Sequence, residues 1–279
     1  MENNLPGLPK DRDDLGIPES EKAKGAGSHS DFFKSALDII EEGKKMQVQL
    51  RLLGATAIYY HCPGWASMSE ALNRPLTDLD FMALSKHNSR VEELFSRLSF
   101  QPNKHVNMLY GRHRQIYYDP KNSRQVDIFF DKLSFNHVLD LTKRLGIDPV
   151  TISLSDLLLE KLQIVKMSEK DAKDVIVLLR EHGVGDGSKG DIDSKYVSKL
   201  LAGDWGFNYT VSQNIKKVKD YLKGVSFIGP EDKQKVDGTL DELMRRIEAE
   251  PKSLGWKMRA SVGTRSPWYT EAEDVEHRQ

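Results

Sequence analysis

The stretch TDLDFMAL at residues 77–84 decides the fold, because apolar residues alternate in it around two aspartates. Alternation with a period of two predicts a β-strand, so the carboxylates of Asp78 and Asp80 lie on one face. Two neighbouring carboxylates repel each other unless a cation lies between them. In a second strand-like run, RQVDIFFD at residues 124–131, Asp127 stands among apolar residues, where an acid is costly unless it is paired or metal-bound. The three acids predict an oxygen-rich site suited to Mg²⁺; a solvated strand edge and an outward-facing Asp127 are the alternative interpretations.

Strand-like and helix-like segments follow one another around these two runs. Upstream, RLLGATAIYY at residues 51–60 predicts a strand, a tight turn at Gly54 and a second apolar segment. Downstream, short turns separate the β-like runs, which predicts antiparallel pairing. These runs are VNMLYG at 106–111, RQIYYD at 114–119 and RQVDIFFD at 124–131. A mixed α/β core followed by helices gives the fold class α+β.

Helical periodicity appears on both sides of this core. The predicted helices cover residues 31–50 with Ser30 or Asp31 as cap, 66–72, 87–98, 135–145, 155–166 with Ser153 or Ser155 as cap, and 168–180 with Ser168 as cap. We expect five segments along the chain. They are a disordered tail at 1–30, an α/β core at 31–150, helices of the same domain at 151–183, a helical region at 184–250 that opens with a glycine-rich linker at 183–190, and a loosely ordered tail at 251–279.

Composition excludes several classes of protein. The 279 residues carry a formal net charge of -1, so no global basic field indicates nucleic-acid binding. The single cysteine, Cys62, excludes an internal disulfide framework and a multi-cysteine zinc site. No apolar run approaches the ~18–20 residues of a membrane span, and the N-terminus lacks the pattern of a signal peptide. We therefore expect a soluble, cytoplasmic protein without membrane contact.

Two segments resemble the opening motif of the nucleotidyltransferase superfamily. They are Leu53-Gly54-Ala55-Thr56-Ala57-Ile58, with His61 just after it, and Arg74-Pro75-Leu76-Thr77-Asp78-Leu79-Asp80. The resemblance is closest to the branch that contains the AbiEii-type and MenT-type toxins of bacterial toxin–antitoxin systems. Asp127 matches the third acid of the family, SDLLLEKL at 155–162 is similar to the next motif with its lysine at Lys161, and Lys173-Asp174-Val175 is similar to a motif in which Arg or Lys precedes Asp. The resemblance covers about residues 52–179.

Three departures from the family pattern stand in this sequence. Ala55 occupies the position of a second Gly or a Ser, and Lys173 replaces the commoner Arg with a point charge. The interval from Gly54 to Asp78 is longer than usual, which predicts an insertion that loops out around residues 63–73.

The resemblance implies a nucleotidyltransferase-like mixed sheet flanked by helices, with a site for a nucleoside triphosphate such as ATP. The glycine turn of Gly54, Ala55 and Thr56 would bind phosphate oxygens, and Asp78, Asp80 and Asp127 would hold Mg²⁺ or, in its place, Mn²⁺. Lys161 would offset phosphate charge, where a solvated helix lysine is the alternative. Arg74 would contact phosphate or pair with an acid, and Asp174 would bind the base, the sugar or a supporting cation, or lie on a helix surface.

The implied reaction moves an NMP from an NTP to an acceptor hydroxyl. In the toxin-like branch the acceptor is an RNA, with a tRNA 3′ end favoured, and a cognate antitoxin is the protein partner. A protein or a small molecule such as an aminoglycoside is the alternative acceptor, and a degenerate module that binds a nucleotide or a partner is the non-enzymatic alternative. We place His61 and Cys62 outside the site. Two C-terminal features each have two possible roles. The aromatic run at 205–209 stacks bases or packs between helices. A group of lysines on a predicted helix binds RNA or forms a solvated face, namely Lys216, Lys217, Lys219 and Lys223.

Overall fold

The computed structural model describes residues 29–188 and 190–271. Of the tail predicted for residues 1–30, only His29 and Ser30 fall within these ranges, and both belong to the first helix. The remaining 28 positions of that predicted tail, and the end of the C-terminal tail from residue 272 onward, lie outside the described residues.

A five-stranded mixed sheet forms the centre of the molecule, in the order β1-β2-β5-β4-β3. Strands β2 and β5 are parallel, and the other neighbouring pairs are antiparallel. The five strands are β1 (Arg51–Leu53), β2 (Asp78–Ala83), β3 (Gln101–Pro102), β4 (Arg114–Asp119) and β5 (Arg124–Phe130). Two small sheets accompany it, formed by β6 (Lys132–Ser134) with β7 (Val138–Asp140) and by β8 (Val184–Gly185) with β9 (Ile192–Asp193). The prediction of a mixed α/β core is confirmed.

Helices flank the sheet and make up most of the C-terminal part. They are α1 (His29–Lys45), α2 (Gly54–His61), α3 (Ser69–Leu72), α4 (Asn88–Arg97), α5 (Lys104–Tyr110), α6 (Leu154–Leu162), α7 (Glu169–Glu181), α8 (Ser194–Gly203), α9 (Trp205–Gly224), α10 (Pro230–Ala249) and α11 (Leu254–Val262), with 3₁₀-helices at Pro63–Met68, Ser85–His87 and Gly263–Arg265. One continuous cluster of buried apolar side chains runs from Phe32 to Ile247 and joins the sheet to these helices. Among the helices described, none is long and apolar enough to span a membrane.

The first helix ends five residues before the predicted boundary at Leu50. Gln47 adopts a left-handed backbone with a φ of 57°, which stops helical propagation after Lys45. Val48 and Leu50 are buried in the extended segment that leads into β1. Their apolar character continued the helical pattern although they pack as part of the sheet. Ser30 and Asp31 lie within the helix, after His29.

The run VNMLYG at 106–111 is helical, so the strand predicted there is wrong. The side chain of Asn103 accepts a hydrogen bond from the backbone N–H of Val106 and caps α5. The side chain of Asn107 then bonds both backbone groups of Ile116 in β4, accepting at 2.7 Å and donating at 3.2 Å. The side chain of Asn107 and the backbone N–H of Asn103 therefore satisfy the backbone groups of Ile116, which a further strand would have paired.

The helix predicted for residues 135–145 is also wrong, since this segment forms β7 and a series of turns. Asn136 accepts from the backbone of Val165 and donates to the carbonyl of Thr270, at 2.8 and 3.0 Å. His137 lies 2.8 Å from the hydroxyl of Thr210. These long-range bonds, invisible in local periodicity, hold the segment in an extended path.

Three boundaries need smaller corrections. The helix predicted at 155–166 is α6, which Ser153 caps and which ends at Leu162. The glycine-rich segment at 183–190 is not a free linker, because β8 pairs with β9 in parallel. The C-terminal segment contains α11, so residues 254–262 are helical and not loosely ordered. By contrast, Ser168 caps α7 as predicted, with a complete capping box to Asp171.

Candidate functional site

The parallel pairing of β2 with β5 brings the three predicted acids to one face of the sheet. Asp80 pairs with Asp127 in register, and Asp78 pairs with Gln125. Residues paired across a sheet project to the same side, and Asp78 and Asp80 are two positions apart in one strand. Asp78 and Asp80 are partly exposed, whereas Asp127 is only 2% exposed.

The glycine turn lies against this face. Leu53 pairs with Asp80, and Gly54 follows it with a φ of +73°, a conformation that favours glycine. A Cβ at Gly54 would lie 2.5 Å from Oδ2 of Asp80, so only glycine fits this close approach. The backbone N–H of Gly54 donates to Oε2 of Glu160 at 3.0 Å.

Ala55 and Thr56 begin helix α2 directly after the turn, and both are buried. The hydroxyl of Thr56 donates to the backbone carbonyl of Asp78 at 3.3 Å. Thr56 thus ties the start of α2 to the start of β2, which fixes the glycine turn relative to the acids.

Negative charge accumulates at this face. Burial raises the pKa of Asp80 well above its usual range, and the carboxylates of Asp78, Asp127 and Glu160 raise it further, against the opposing charge of Lys161. The pKa of Asp78 is raised by burial and by Asp127, with Lys161 and Arg74 opposing. The nearby positive charges only partly offset the repulsion at Asp78 and Asp80, so this pair favours binding of a cation.

Asp127 has protein partners in this arrangement. Arg114 of β4 donates to its Oδ1 from Nε at 2.9 Å and pairs through a second nitrogen at 2.8 Å, and Gln125 donates to Oδ2 at 2.8 Å. Within residues 29–188 and 190–271, no three His, Cys, Asp or Glu side chains are grouped closely enough to hold a metal ion. The Asp78 and Asp80 pair nevertheless fits Mg²⁺, which binds through one or two carboxylates together with water and phosphate oxygens. The turn at Gly54 packs directly against Asp80, so its backbone lies next to this pair.

Lys161 and Arg74 belong to a second network centred on Asp174. Asp174 is fully buried and accepts from Nε and a terminal nitrogen of Arg74 at 3.1 and 3.0 Å. Nζ of Lys161 lies 3.4 Å from Asp174 and 3.3 Å from Glu160. Burial opposes the charge of Lys161, but the carboxylates of Glu160 and Asp174 outweigh it and raise the pKa of the lysine. Lys161 is therefore a fixed cation, with Glu160 reaching back to the glycine turn.

The segment between Gly54 and Asp78 is folded and does not loop out. After α2, the chain forms a 3₁₀-helix and α3, which ends at Asn73 in a left-handed conformation with a φ of 44°. This turn delivers Arg74 to Asp174. The Lys173 side chain on α7 is 14% exposed and its ammonium pairs with Glu169 at 2.9 Å, so it takes no part in the network.

Four residues of the face escaped the sequence analysis as site residues. They are Tyr59, whose hydroxyl donates to Asp174 at 3.3 Å, and Glu160, Arg114 and Gln125. Glu160 was visible only as the neighbour of Lys161. Arg114 and Gln125 could have been identified from the strand pattern. In a β4–β5 hairpin, alternation places Gln125 on the same face as Asp127, and the pairing of Ile116 with Asp127 places Arg114 there too.

The remaining candidate residues have structural roles. His61 lies 2.7 Å from the hydroxyl of Thr151, and Cys62 is buried, which raises the pKa of its thiol. In the aromatic run at 205–209, Trp205 stacks on Tyr209 with centroids 5.2 Å apart, in contact with Trp268 at the C-terminus. Of the lysines on α9, Lys219 pairs with Asp237 at 3.2 Å and with Asp241, Lys223 pairs with Asp220, and Lys217 bonds the carbonyl of Val165, so three of the four are engaged within the protein.

No protein-family model, no curated protein and no solved structure matches this chain. The chemistry available at the face follows from its own groups. Carboxylates on adjoining strands can bind a divalent cation, the glycine turn admits close backbone contact, and Lys161 and Arg74 supply fixed positive charge. Together these groups suit a substrate that carries several phosphates.

Proposed function

We propose that this chain is a Mg²⁺-dependent nucleotidyltransferase, with a nucleotidyltransferase-like fold, that moves an NMP from an NTP to an acceptor hydroxyl. One observation carries the proposal. Asp78 and Asp80 of β2 share a face with Asp127 of the parallel neighbour β5, in direct contact with the turn at Gly54. The motif resemblance of residues 52–179 supports the same reaction independently of this geometry.

The electrostatics of the face favour a divalent cation and a polyphosphate together. When bound, Mg²⁺ or Mn²⁺ would neutralise charge on the phosphates and on the acids. Asp78 and Asp80 would hold that ion, and the accumulated negative charge at Asp80 would then become favourable.

The other residues divide into binding and proton transfer. Gly54, with Ala55 and Thr56 behind it, allows the backbone N–H groups of the turn to approach phosphate oxygens. Lys161 offsets charge as pyrophosphate leaves, and Asp127 would complete the metal site and so help to deprotonate the acceptor hydroxyl. Asp174, which is fully buried, anchors Lys161 and Arg74 and does not contact a base or sugar in this proposal.

RNA is the acceptor that we favour, with a tRNA 3′ end as the specific site, in a cytoplasmic toxin-like enzyme with a cognate antitoxin. The support is the resemblance to the AbiEii-type and MenT-type branch. The near-neutral net charge of -1 gives no independent support for RNA. The test therefore also includes protein and small-molecule acceptors.

The test incubates the purified protein with each labelled NTP, Mg²⁺ and either total RNA or lysate. We compare the wild type with Asp80→Asn and with Asp38→Asn, which removes an exposed carboxylate of α1. Loss of one group that stabilises the transition state costs about 100-fold or more in rate, so Asp80→Asn should abolish detectable transfer while Asp38→Asn retains it. Label in RNA supports the favoured acceptor, and label in protein or in a small molecule moves the acceptor to that class. Absence of label with every NTP, or full transfer by Asp80→Asn, would overturn the proposal.

A further inference from the structure

The strongest unexplained contact at the face is the one between Arg114 and Asp127. Two nitrogens of Arg114 lie 2.9 and 2.8 Å from Oδ1, and Gln125 donates to Oδ2 at 2.8 Å. Asp127 is 2% exposed, so its carboxylate is bonded by these protein donors and has almost no contact with solvent. A carboxylate that accepts from both oxygens in this way has little capacity left for a cation next to Asp80.

The register of the sheet nevertheless places Asp127 directly beside Asp80. Asp127 contributes to the raised pKa of both Asp78 and Asp80, which means that its charge is felt at the pair. Arg114 and a cation shared with Asp80 therefore compete for the same carboxylate. Binding of one weakens binding of the other by a definite coupling free energy.

Arg114 also lies over an aromatic ring on the same face. It pairs in register with Phe129 across β4 and β5, and its guanidinium carbon lies 5.1 Å from the centroid of the Phe129 ring. Its side chain is 16% exposed, so it borders solvent, whereas Asp127 does not. A guanidinium released from Asp127 can remain over the ring and form two parallel hydrogen bonds to a phosphate.

We propose that Arg114 is a positioning residue that exchanges Asp127 for a phosphate of the incoming NTP. The exchange rests on the proposed function, and it adds an order of events to it. Without nucleotide, Arg114 occupies Asp127 and the metal is held by Asp78 and Asp80 alone. A triphosphate supplies the anion that takes Arg114, which frees Asp127 to complete the site, so metal and NTP bind with positive coupling.

The experiment measures Mn²⁺ affinity by the electron paramagnetic resonance signal of the free ion. Mn²⁺ is added alone and then with an equimolar mixture of the four NTPs, without any acceptor. The variants are Arg114→Gln, Arg114→Lys, Asp127→Asn and the double variant Arg114→Gln with Asp127→Asn. Arg112→Gln is the matched control, because Arg112 is exposed and lies only two positions away.

We expect Arg114→Gln to bind Mn²⁺ alone about tenfold more tightly than the wild type, within the usual range of such couplings. The enhancement by NTP should shrink in the same variant, since the phosphate no longer has a guanidinium to bind. The double variant should lose the tenfold gain, which separates release of Asp127 from a general loss of positive charge. Arg114→Lys keeps the charge but not the paired nitrogens, so it should show a smaller gain in Mn²⁺ affinity. This variant replaces Arg114→Gln in the experiment if Arg114→Gln does not fold.

Two results would count against the exchange in different ways. The exchange alone would be overturned if Mn²⁺ affinity were the same in the wild type and in Arg114→Gln. It would also be overturned if the tenfold gain in Mn²⁺ affinity persisted in the double variant. Absence of Mn²⁺ binding in every variant, with and without NTPs, would overturn the proposed function and the exchange with it.

Discussion

The Asp80 carboxylate is unfavourable for stability but is required by the proposed chemistry. Burial and the neighbouring carboxylates of Asp78, Asp127 and Glu160 raise its pKa well above its usual range. The ionised form is therefore less favourable in the folded chain than in the unfolded chain. Such an arrangement persists where function requires it, and a neutral isostere at the same position should be more stable.

We predict that Asp80→Asn raises the free energy of unfolding by about 1 kcal/mol in EDTA at neutral pH. Because the folded-state pKa of Asp80 lies above its unfolded value near 3.8, the wild type loses stability as pH rises from that value through the folded pKa. The advantage of the Asn variant should therefore grow with pH across this window. Urea unfolding at several pH values measures it, and Asp38→Asn should show no such trend.

Saturating Mg²⁺ should reverse the order of stability, because the ion binds the carboxylates of the wild type and not the amide. An Asn variant that is less stable than the wild type in EDTA at every pH would contradict the electrostatic account of Asp80. It would leave the acid as a structural hydrogen-bond acceptor.

At the level of elements, the sequence was informative where periodicity and burial agree. Strands β2, β4 and β5 were predicted almost to the residue. In an extended strand, successive side chains point to opposite faces, so the alternating sequence pattern marks the strand directly. The sharing of a face by Asp78 and Asp80 followed from that period alone. The pairing of β2 with β5 was not predictable, since register depends on which strands become neighbours.

The errors share a physical cause. In residues 106–111 and 135–145, side chains bond backbone groups outside the segment, nine residues away for Asn107 with Ile116 and 29 residues away for Asn136 with Val165. Local propensity contains no information on these partners. The same limit explains why Glu160 was absent from the predicted site, because its bond to Gly54 joins residues 106 positions apart, whereas Arg114 lies only 13 positions from Asp127.

Helix α5 offers a direct test of this cause. Asn107→Leu removes the acceptor of the Ile116 backbone N–H and one of two donors to the Ile116 carbonyl, which keeps the backbone N–H of Asn103 at 2.9 Å. Leaving the buried N–H of Ile116 without a partner costs about 1–3 kcal/mol, so the variant should lose stability by that amount. Met108→Ala, at a neighbouring position that is 77% exposed, should change stability by less than about 0.5 kcal/mol. Urea unfolding of both variants measures the difference, and equal stabilities would mean that water replaces Asn107.

At the scale of the whole molecule, the C-terminal helices support the residues of the face. Helix α10 packs on α7, with Arg180 and Asp232 joined at 2.7 Å, and the apolar core continues from the sheet into α9 and α10 without a break. The face is therefore held from two sides, by the sheet under Asp78, Asp80 and Asp127 and by the helical layer behind Lys161. We expect the described part of the chain to unfold as one cooperative unit.

Asn214 is the clearest link between the two parts. It is fully buried on α9, and its amide nitrogen donates to the carbonyls of Leu162 and Ile164 at 2.8 and 2.7 Å, at the end of α6 just beyond Lys161. Asn214→Leu keeps the volume but leaves these carbonyls without a donor, so we predict a loss of about 1–3 kcal/mol in stability. Because α6 positions the Lys161 ammonium between Glu160 and Asp174, NMP transfer should fall as well. Asp220→Asn, at an exposed position of the same helix, is the control and should change neither quantity. Retained transfer in a destabilised Asn214→Leu protein would show that α6 keeps Lys161 in place without α9, and that the C-terminal helices stabilise the fold but do not shape the face.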